Sequence, residues 1–230
     1  MRFAARAVLL CLCLLFCLAG CKRRVQIVKK VNLQEPYLIT YSGLSYETAQ
    51  EGHTFVRYGV DGRGSVLLEV CSYDQEGTLS EKGYLYIKTQ DGSFRCYVKE
   101  NGGYALSDEG NLSESAISNR HFQELYLFQM RLGDATTLFE GDVRLEKKGN
   151  ETFLKRSVLL YTVEHKVKDE ETGIKEHYRY EYTVDEETGA CLRVVCNLLD
   201  ENGGESGGAS GFVCTEFDFC PADFSELIAK

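Results

Sequence analysis

Residues 174–199 read IKEHYRYEYTVDEETGACLRVVCNLL, and this stretch decides the fold. In its first part Tyr178, Tyr180, Tyr182 and Val184 fall on one face of an extended chain and His177, Arg179, Glu181 and Thr183 on the other, the period of two that a half-buried strand requires. In its last part, Ala190 to Leu199, the residues Leu192, Val194, Cys196 and Leu198 align in the same way. Between the two, Asp185-Glu-Glu-Thr-Gly189 places an acid first and a glycine last, which suits a type I turn closed by a glycine in the left-handed region. The stretch is therefore an antiparallel hairpin. The same pentapeptide recurs at Asp169–Gly173, and before it the run from Phe153 to Val167 reads as a third strand. At about 3.3 Å per residue that run extends roughly 50 Å, so it must coil around something rather than lie flat.

Working outward, Val143–Lys148 reads as a strand that turns at Gly149-Asn150, and Ser65–Tyr73 as another. Residues 83–100, GYLYIKTQDGSFRCYVKE, form a second hairpin. Taking Asp91-Gly92 as a two-residue loop pairs Ile87 with Cys96 and Leu85 with Val98, and puts Leu85, Ile87, Phe94, Cys96 and Val98 on one face. The glycine-rich segment Asp200–Gly211 is a loop tip before a strand at Phe212–Phe219, and Pro221–Lys230 suggests a short docking helix. From Ser118 to Leu132 the apolar residues Phe122, Leu125, Phe128 and Leu132 recur at helical spacing, with Ser118 or Asn119 to start the helix and Gly133 to end it. Tyr126, Leu127 and Met130 widen its apolar surface, so this helix needs cover on most sides. The expected fold class is α+β: a mostly antiparallel, strongly curved sheet, a half-barrel, with one or two helices on its concave side.

The N-terminus is an address. Met1–Gly20 carries Arg2 and Arg6, an apolar run from Ala7 to Leu18 and small residues before Cys21. The run is too short to span a bilayer and fits a secretory signal. Leu18-Ala19-Gly20-Cys21 resembles the lipobox of bacterial lipoproteins, which implies cleavage before Cys21 and acylation of its thiol with palmitate-type chains. Two such chains anchor a protein stably where one does not. The expected organisation is a signal peptide at 1–20, a lipidated tether at 21–35 and a single β-rich domain at 36–230. The expected location is the cell envelope, lipid-anchored to a bacterial membrane on the non-cytoplasmic side.

From Cys21 onward the chain has 24 basic and 35 acidic side chains. That balance opposes binding to nucleic acid, which needs a surplus of cations to release phosphate counterions. No reaction is written in the motifs either. His53, His121, His165 and His177 have no metal-ligand spacing, and no nucleophile elbow, phosphate loop or dinucleotide fingerprint occurs. The acidic pentapeptides lack the alternate carboxylates of a calcium loop. The expectation is no metal, no cofactor and no enzymatic activity. Six cysteines follow Cys21. Pairing of Ala190–Leu199 with Phe212–Phe219 would bring Cys196 opposite Cys214 and Cys191 near Cys220, whereas Cys96 on its apolar hairpin face suits a buried thiol equally well.

The lipobox, the meander of long strands, the Tyr-rich YRYEYTVDEETGACLRVV and the closing VCTEFDFCPADF together resemble the envelope lipid and lipoprotein carriers of the LolA, LolB, LppX and RseB type. The resemblance implies a half-open barrel wrapped round helices to form an apolar cavity. A lipid or acyl ligand there would be lined by Tyr178, Tyr180, Tyr182, Leu192, Val194, Phe122, Leu125 and Phe128. The alternative is an envelope protein-interaction or sensor module with no cavity, its partner unspecified.

Overall fold

The computed structural model describes residues 23–44, 51–73, 78–168, 173–207 and 209–228. Seven strands come first: β1 (Arg23–Val25), β2 (Tyr37–Leu44), β3 (Glu51–Val60), β4 (Val66–Tyr73), β5 (Leu79–Lys88), β6 (Phe94–Glu100) and β7 (Gly103–Leu106). Two helices follow, α1 (Glu114–Arg120) and α2 (Phe122–Leu132), with a 3-10 turn at Asp134–Thr136. Then come β8 (Phe139–Phe153), β9 (Arg156–Lys168), β10 (Lys175–Asp185), β11 (Cys191–Leu199), β12 (Ser210–Asp218) and a closing 3-10 turn at Phe224–Leu227.

All these strands join one open antiparallel sheet in the order β1-β8-β9-β10-β11-β12-β2-β3-β4-β5-β6-β7. Two meanders, β2 to β7 and β8 to β12, meet along the β12–β2 seam. Four bulges bend neighbouring strands, at Lys147/Gly149, Thr183/Val184, Cys214/Glu216 and Ser42/Leu44. Each adds local twist. The result is the expected α+β half-barrel. Helices α1 and α2 carry the chain from β7 at one sheet edge to β8 beside the other, across the concave face.

The main core lies under α2: Tyr41, Val56, Val158, Val163, Tyr182, Leu192, Val194 and Phe212 are buried around Phe128. The Tyr41 hydroxyl is satisfied there, donating to the Cys191 carbonyl at 2.9 Å. A second cluster, Leu38, Leu67, Leu85, Tyr104 and Phe224, is covered by the C-terminal 3-10 turn, and a third, Tyr86, Phe94, Cys96 and Ile117, by α1. The β5–β6 hairpin is therefore buried on both faces.

Several sequence expectations need correction. The β5–β6 register pairs Tyr86 with Cys96 and Tyr84 with Val98, one residue away from the expected pairing. The loop has three residues because the Thr89 amide bonds the Ser93 carbonyl and the Asp91 carboxylate accepts from the Ser93 amide, with Gly92 at φ 83. Leu85 and Ile87 thus face away from Phe94, Cys96 and Val98. Strand β8 does not turn at Gly149-Asn150. It bulges there and turns at Leu154-Lys155, both in the left-handed region. The expected single helix is two, breaking at His121, and Ser113 caps the first by accepting from the Ala116 amide. The C-terminal helix is one 3-10 turn begun by Asp223, not Pro221.

Cys196 lies opposite Ser210, not Cys214. No disulfide involves Cys96, Cys191, Cys196, Cys214 or Cys220. The buried Cys191 and Cys214 thiols donate to the Arg193 and Glu216 carbonyls instead, at 3.4 and 3.1 Å. His165 and His177 sit on opposite faces: Tyr178 pairs with His165, and His177 with Lys166.

Residues 23–35, read as a tether, form a strap. Strand β1 pairs with the start of β8, the Val28 amide donates to Ala135, the Asn32 amide donates to Thr188, and Ile27, Val28, Val31 and Leu33 pack on the main core. Gly189 is where the strap passes: it closes the Asp185 turn at φ 72, and a Cβ there would lie 2.9 Å from Val28. The leader, Cys21 and residues 169–172 of the first acidic turn lie outside the described residues. Among the described residues no helix is long and apolar enough to cross a membrane.

Candidate functional site: the cleft beneath the helices

Helix α1 starts where Ser113 supplies a side-chain cap and Glu114 favours the N-terminal dipole. It buries one residue, Ile117, and α2 likewise buries one, Phe128. Phe128 meets the rings of Tyr58 and Tyr41 at 5.0 and 6.0 Å between centroids. Leu132 packs on the same core. The helical pair is thus held to twelve strands by few side chains.

Beside Phe128 a cleft of about 130 Å³ opens between the helices and strands β3 to β6. Tyr58, Leu68, Phe94, Ile117 and Leu125 contribute apolar side chains to its lining, and Glu35, Lys88, Glu114 and Ser118 contribute polar ones. At its floor the buried His121 ring, at the break between α1 and α2, lies 2.5 Å from the Tyr86 hydroxyl through Nε2. Its Nδ1 is 4.0 Å from Glu124, and its ring leans on Tyr84 at 4.4 Å. Burial pushes the His121 pKa down, so it is neutral at pH 7. A proton on Nδ1 leaves Nε2 to accept the Tyr86 hydroxyl.

At the other end of α2, two charged groups are desolvated. Burial lowers the Arg131 pKa, and its Nη1 has no hydrogen-bond partner. Burial raises the Asp134 carboxyl to about 6, against a lowering by the Tyr182 hydroxyl. By contrast Asp185 is well paired. Its burial is more than offset by Arg156, which donates through Nε and Nη2 at 2.6 and 3.0 Å, and by the Thr188 amide and hydroxyl, so it stays below the usual carboxylate range. Arg156 also stacks over Phe217 and Phe219 at 5.0 and 4.6 Å.

The residues read from the sequence as lining separate into groups. Tyr182, Leu192, Val194 and Phe128 come together in the main core. Tyr180 packs against that core and continues a ladder of rings through Tyr178 and Tyr182, with Phe139 against Tyr180 and Tyr182. Leu125 lines the cleft, and Phe122 points away from the sheet. Sequence reasoning missed Tyr58, Leu68, Tyr86, Ile117 and His121. Alternation at Val56, Tyr58 and Val60 could have flagged β3. Nothing local marks His121 as the break between the helices, since the helical period runs through it. Among the described residues no three His, Cys, Asp or Glu side chains gather as a metal site.

No family model matches this chain, and no curated protein does. Solved structures do. The chain is similar to one in the Pseudomonas aeruginosa MucA/MucB complex at 17% identity and a TM-score of 0.30, over 85% of its own length. It spans only 56% of that chain. It is similar to LprF from Mycobacterium bovis at 11% identity and a TM-score of 0.37, over 82% of this chain and 88% of that one. The Mycobacterium tuberculosis lipoprotein LppX matches at 13% identity and a TM-score of 0.29, over 81% and 88%. The half-barrel description rests on strand order, bulges and burial.

Proposed function

We propose that this chain is a cell-envelope lipoprotein, anchored through acyl chains on Cys21, that binds an apolar ligand such as a lipid or acyl chain between α1–α2 and the concave sheet. The observation that carries this reading is the loose seating of the helices. Each buries a single residue, and a cleft lined by apolar and polar side chains together opens directly beside the larger contact. At about 130 Å³ the cleft is smaller than the roughly 300 Å³ at which small-molecule pockets begin. Ligand entry therefore requires the helices to lift, pivoting at His121, which exposes the rings beneath Phe128. Burial of apolar surface at roughly 25 cal/mol per Å² drives binding. Arg131 supplies a desolvated donor for an acidic headgroup.

Native mass spectrometry of the mature protein purified from membranes, with solvent extraction of what accompanies it, tests this. Acyl mass in fixed ratio, beyond that attached to Cys21, supports the carrier function. A protein that stays bare after incubation with envelope lipids overturns it. Labelling with palmitate, lost in Cys21→Ser, tests the anchor separately.

A further inference from the structure

The outward face of α2 is unusual for a surface helix. Its exposed positions are Phe122, Gln123, Tyr126, Leu127, Gln129 and Met130, with no charge among them. Phe122 is 69% exposed, Tyr126 and Met130 53%, and Leu127 46%, and Leu138 beyond the 3-10 turn is also 46% exposed. Phe122 and Tyr126 stack on one another at 6.3 Å. A helix facing water ordinarily carries charged and polar residues there, and apolar side chains massed on one face mark an interaction site.

Where the chain leaves the described residues indicates what covers this face. The Gln26 side chain donates to the Thr136 carbonyl at 2.7 Å and the Val28 amide to Ala135 at 2.9 Å, tying the strap to the turn that ends α2. Val25 pairs with Phe139, next to Leu138. Cys21 is four residues before Val25, at most about 14 Å of extended chain. Charge agrees with this placement. Residues 22–34 hold Lys22, Arg23, Arg24, Lys29 and Lys30 and no acid, in a chain that is otherwise acidic. A basic cluster beside an acyl anchor adds attraction to anionic lipid.

We infer that the exposed face of α2 docks on the bilayer that holds the Cys21 acyl chains, with Phe122, Tyr126, Leu127 and Met130 in the headgroup–acyl boundary. The inference rests on the lipidation of Cys21 proposed above. It orients the molecule: the mobile side of the proposed ligand site lies against the membrane, where an apolar ligand enters or leaves without crossing water.

The chain has no tryptophan, so one introduced residue is a unique reporter. Tyr126→Trp is placed in the lipidated, membrane-purified protein, with Tyr73→Trp as control, exposed and by alternation on the opposite sheet face. Each is reconstituted in phosphatidylcholine–phosphatidylglycerol vesicles with and without brominated acyl chains. The expected result is blue-shifted emission and quenching by brominated lipid at position 126 and neither at 73. Intact mass reports acylation independently. An acylated protein whose position-126 emission stays red and unquenched overturns the docking and leaves the anchor standing. If the mass shows no acyl chain the anchor reading fails, and the docking, which rests on it, is overturned with it. A blue shift that grows with protein concentration in the absence of vesicles assigns the face to a second copy and overturns the inference. Phe122→Ser with Met130→Ser shifts the docking equilibrium toward the undocked form by at least about tenfold, read as loss of quenching at 126.

Discussion

Asp134 is desolvated with one hydroxyl donor while Asp185 is gripped by a guanidinium and two further donors, so acid acts on them in opposite senses. Asp134 has a folded pKa raised to about 6. Its contribution to stability is fully present below the unfolded value near 3.9 and is lost as pH rises through 6. Asn at this position keeps an acceptor for Tyr182 and removes the charge. Asp134→Asn therefore stabilises the protein at pH 7, by on the order of 2 kcal/mol, and by little at pH 4, as urea denaturation at the two pH values measures. Asp185 has a lowered folded pKa. Its contribution is present above the unfolded value and lost as pH falls through the folded one. Arg156→Ala leaves that buried carboxylate without its cation and costs about 3 kcal/mol at pH 7, a loss that shrinks on acidification. Of these groups only Asp185 was legible beforehand, as the first residue of a turn. Thr188 lies in the same turn as Asp185, but Arg156 comes from the neighbouring strand β9 and the Tyr182 partner of Asp134 from β10, and spacing along a chain does not reveal such pairs.

At the scale of elements, the two faces of α2 separate what holds the fold from what does not. Phe128→Ala empties a site ringed by Tyr41 and Tyr58 and costs about 3–5 kcal/mol, whereas Phe122→Ala stays within about 0.5 kcal/mol, both read from urea midpoints. Leu125→Asp, at the cleft wall, abolishes lipid uptake in the extraction assay while the thermal midpoint moves little. The β10–β11 hairpin was legible because alternation and turn chemistry agreed. They disagreed elsewhere. Gly149-Asn150 has the composition of a turn and serves as a bulge, while Leu154-Lys155 has none of it and makes the turn, because pairing along the rest of β8 and β9 determines where the chain reverses. The β5–β6 register slipped by one residue because the Asp91 side chain, not the dipeptide type, sets that loop's length.

At the scale of the molecule, the half-barrel was legible and the strap was not, since residues 25–33 send side chains inward without any regular period. A chain shortened to begin at Glu35 loses Val25, Ile27, Val28, Val31 and Leu33 from the main core. That removal is worth on the order of 5 kcal/mol, comparable with the whole stability of a domain, so its circular-dichroism melt is expected to lose cooperativity. The candidate site was only half legible for a related reason: its walls come from β3 to β6, whose side chains alternate normally, and only the crossing helices turn them into a cleft.

The β12–β2 seam also governs the order of assembly. Thr40 and Glu216, bonded at 2.8 Å, stand 176 positions apart. Neither meander can complete the sheet alone, and pairings this remote are slow to form because a long loop must close first. The sheet is therefore completed only once β12 is available to β2. A chain halted before Ser210 leaves the edges of β2 and β11 unpaired, two open templates for association with other chains.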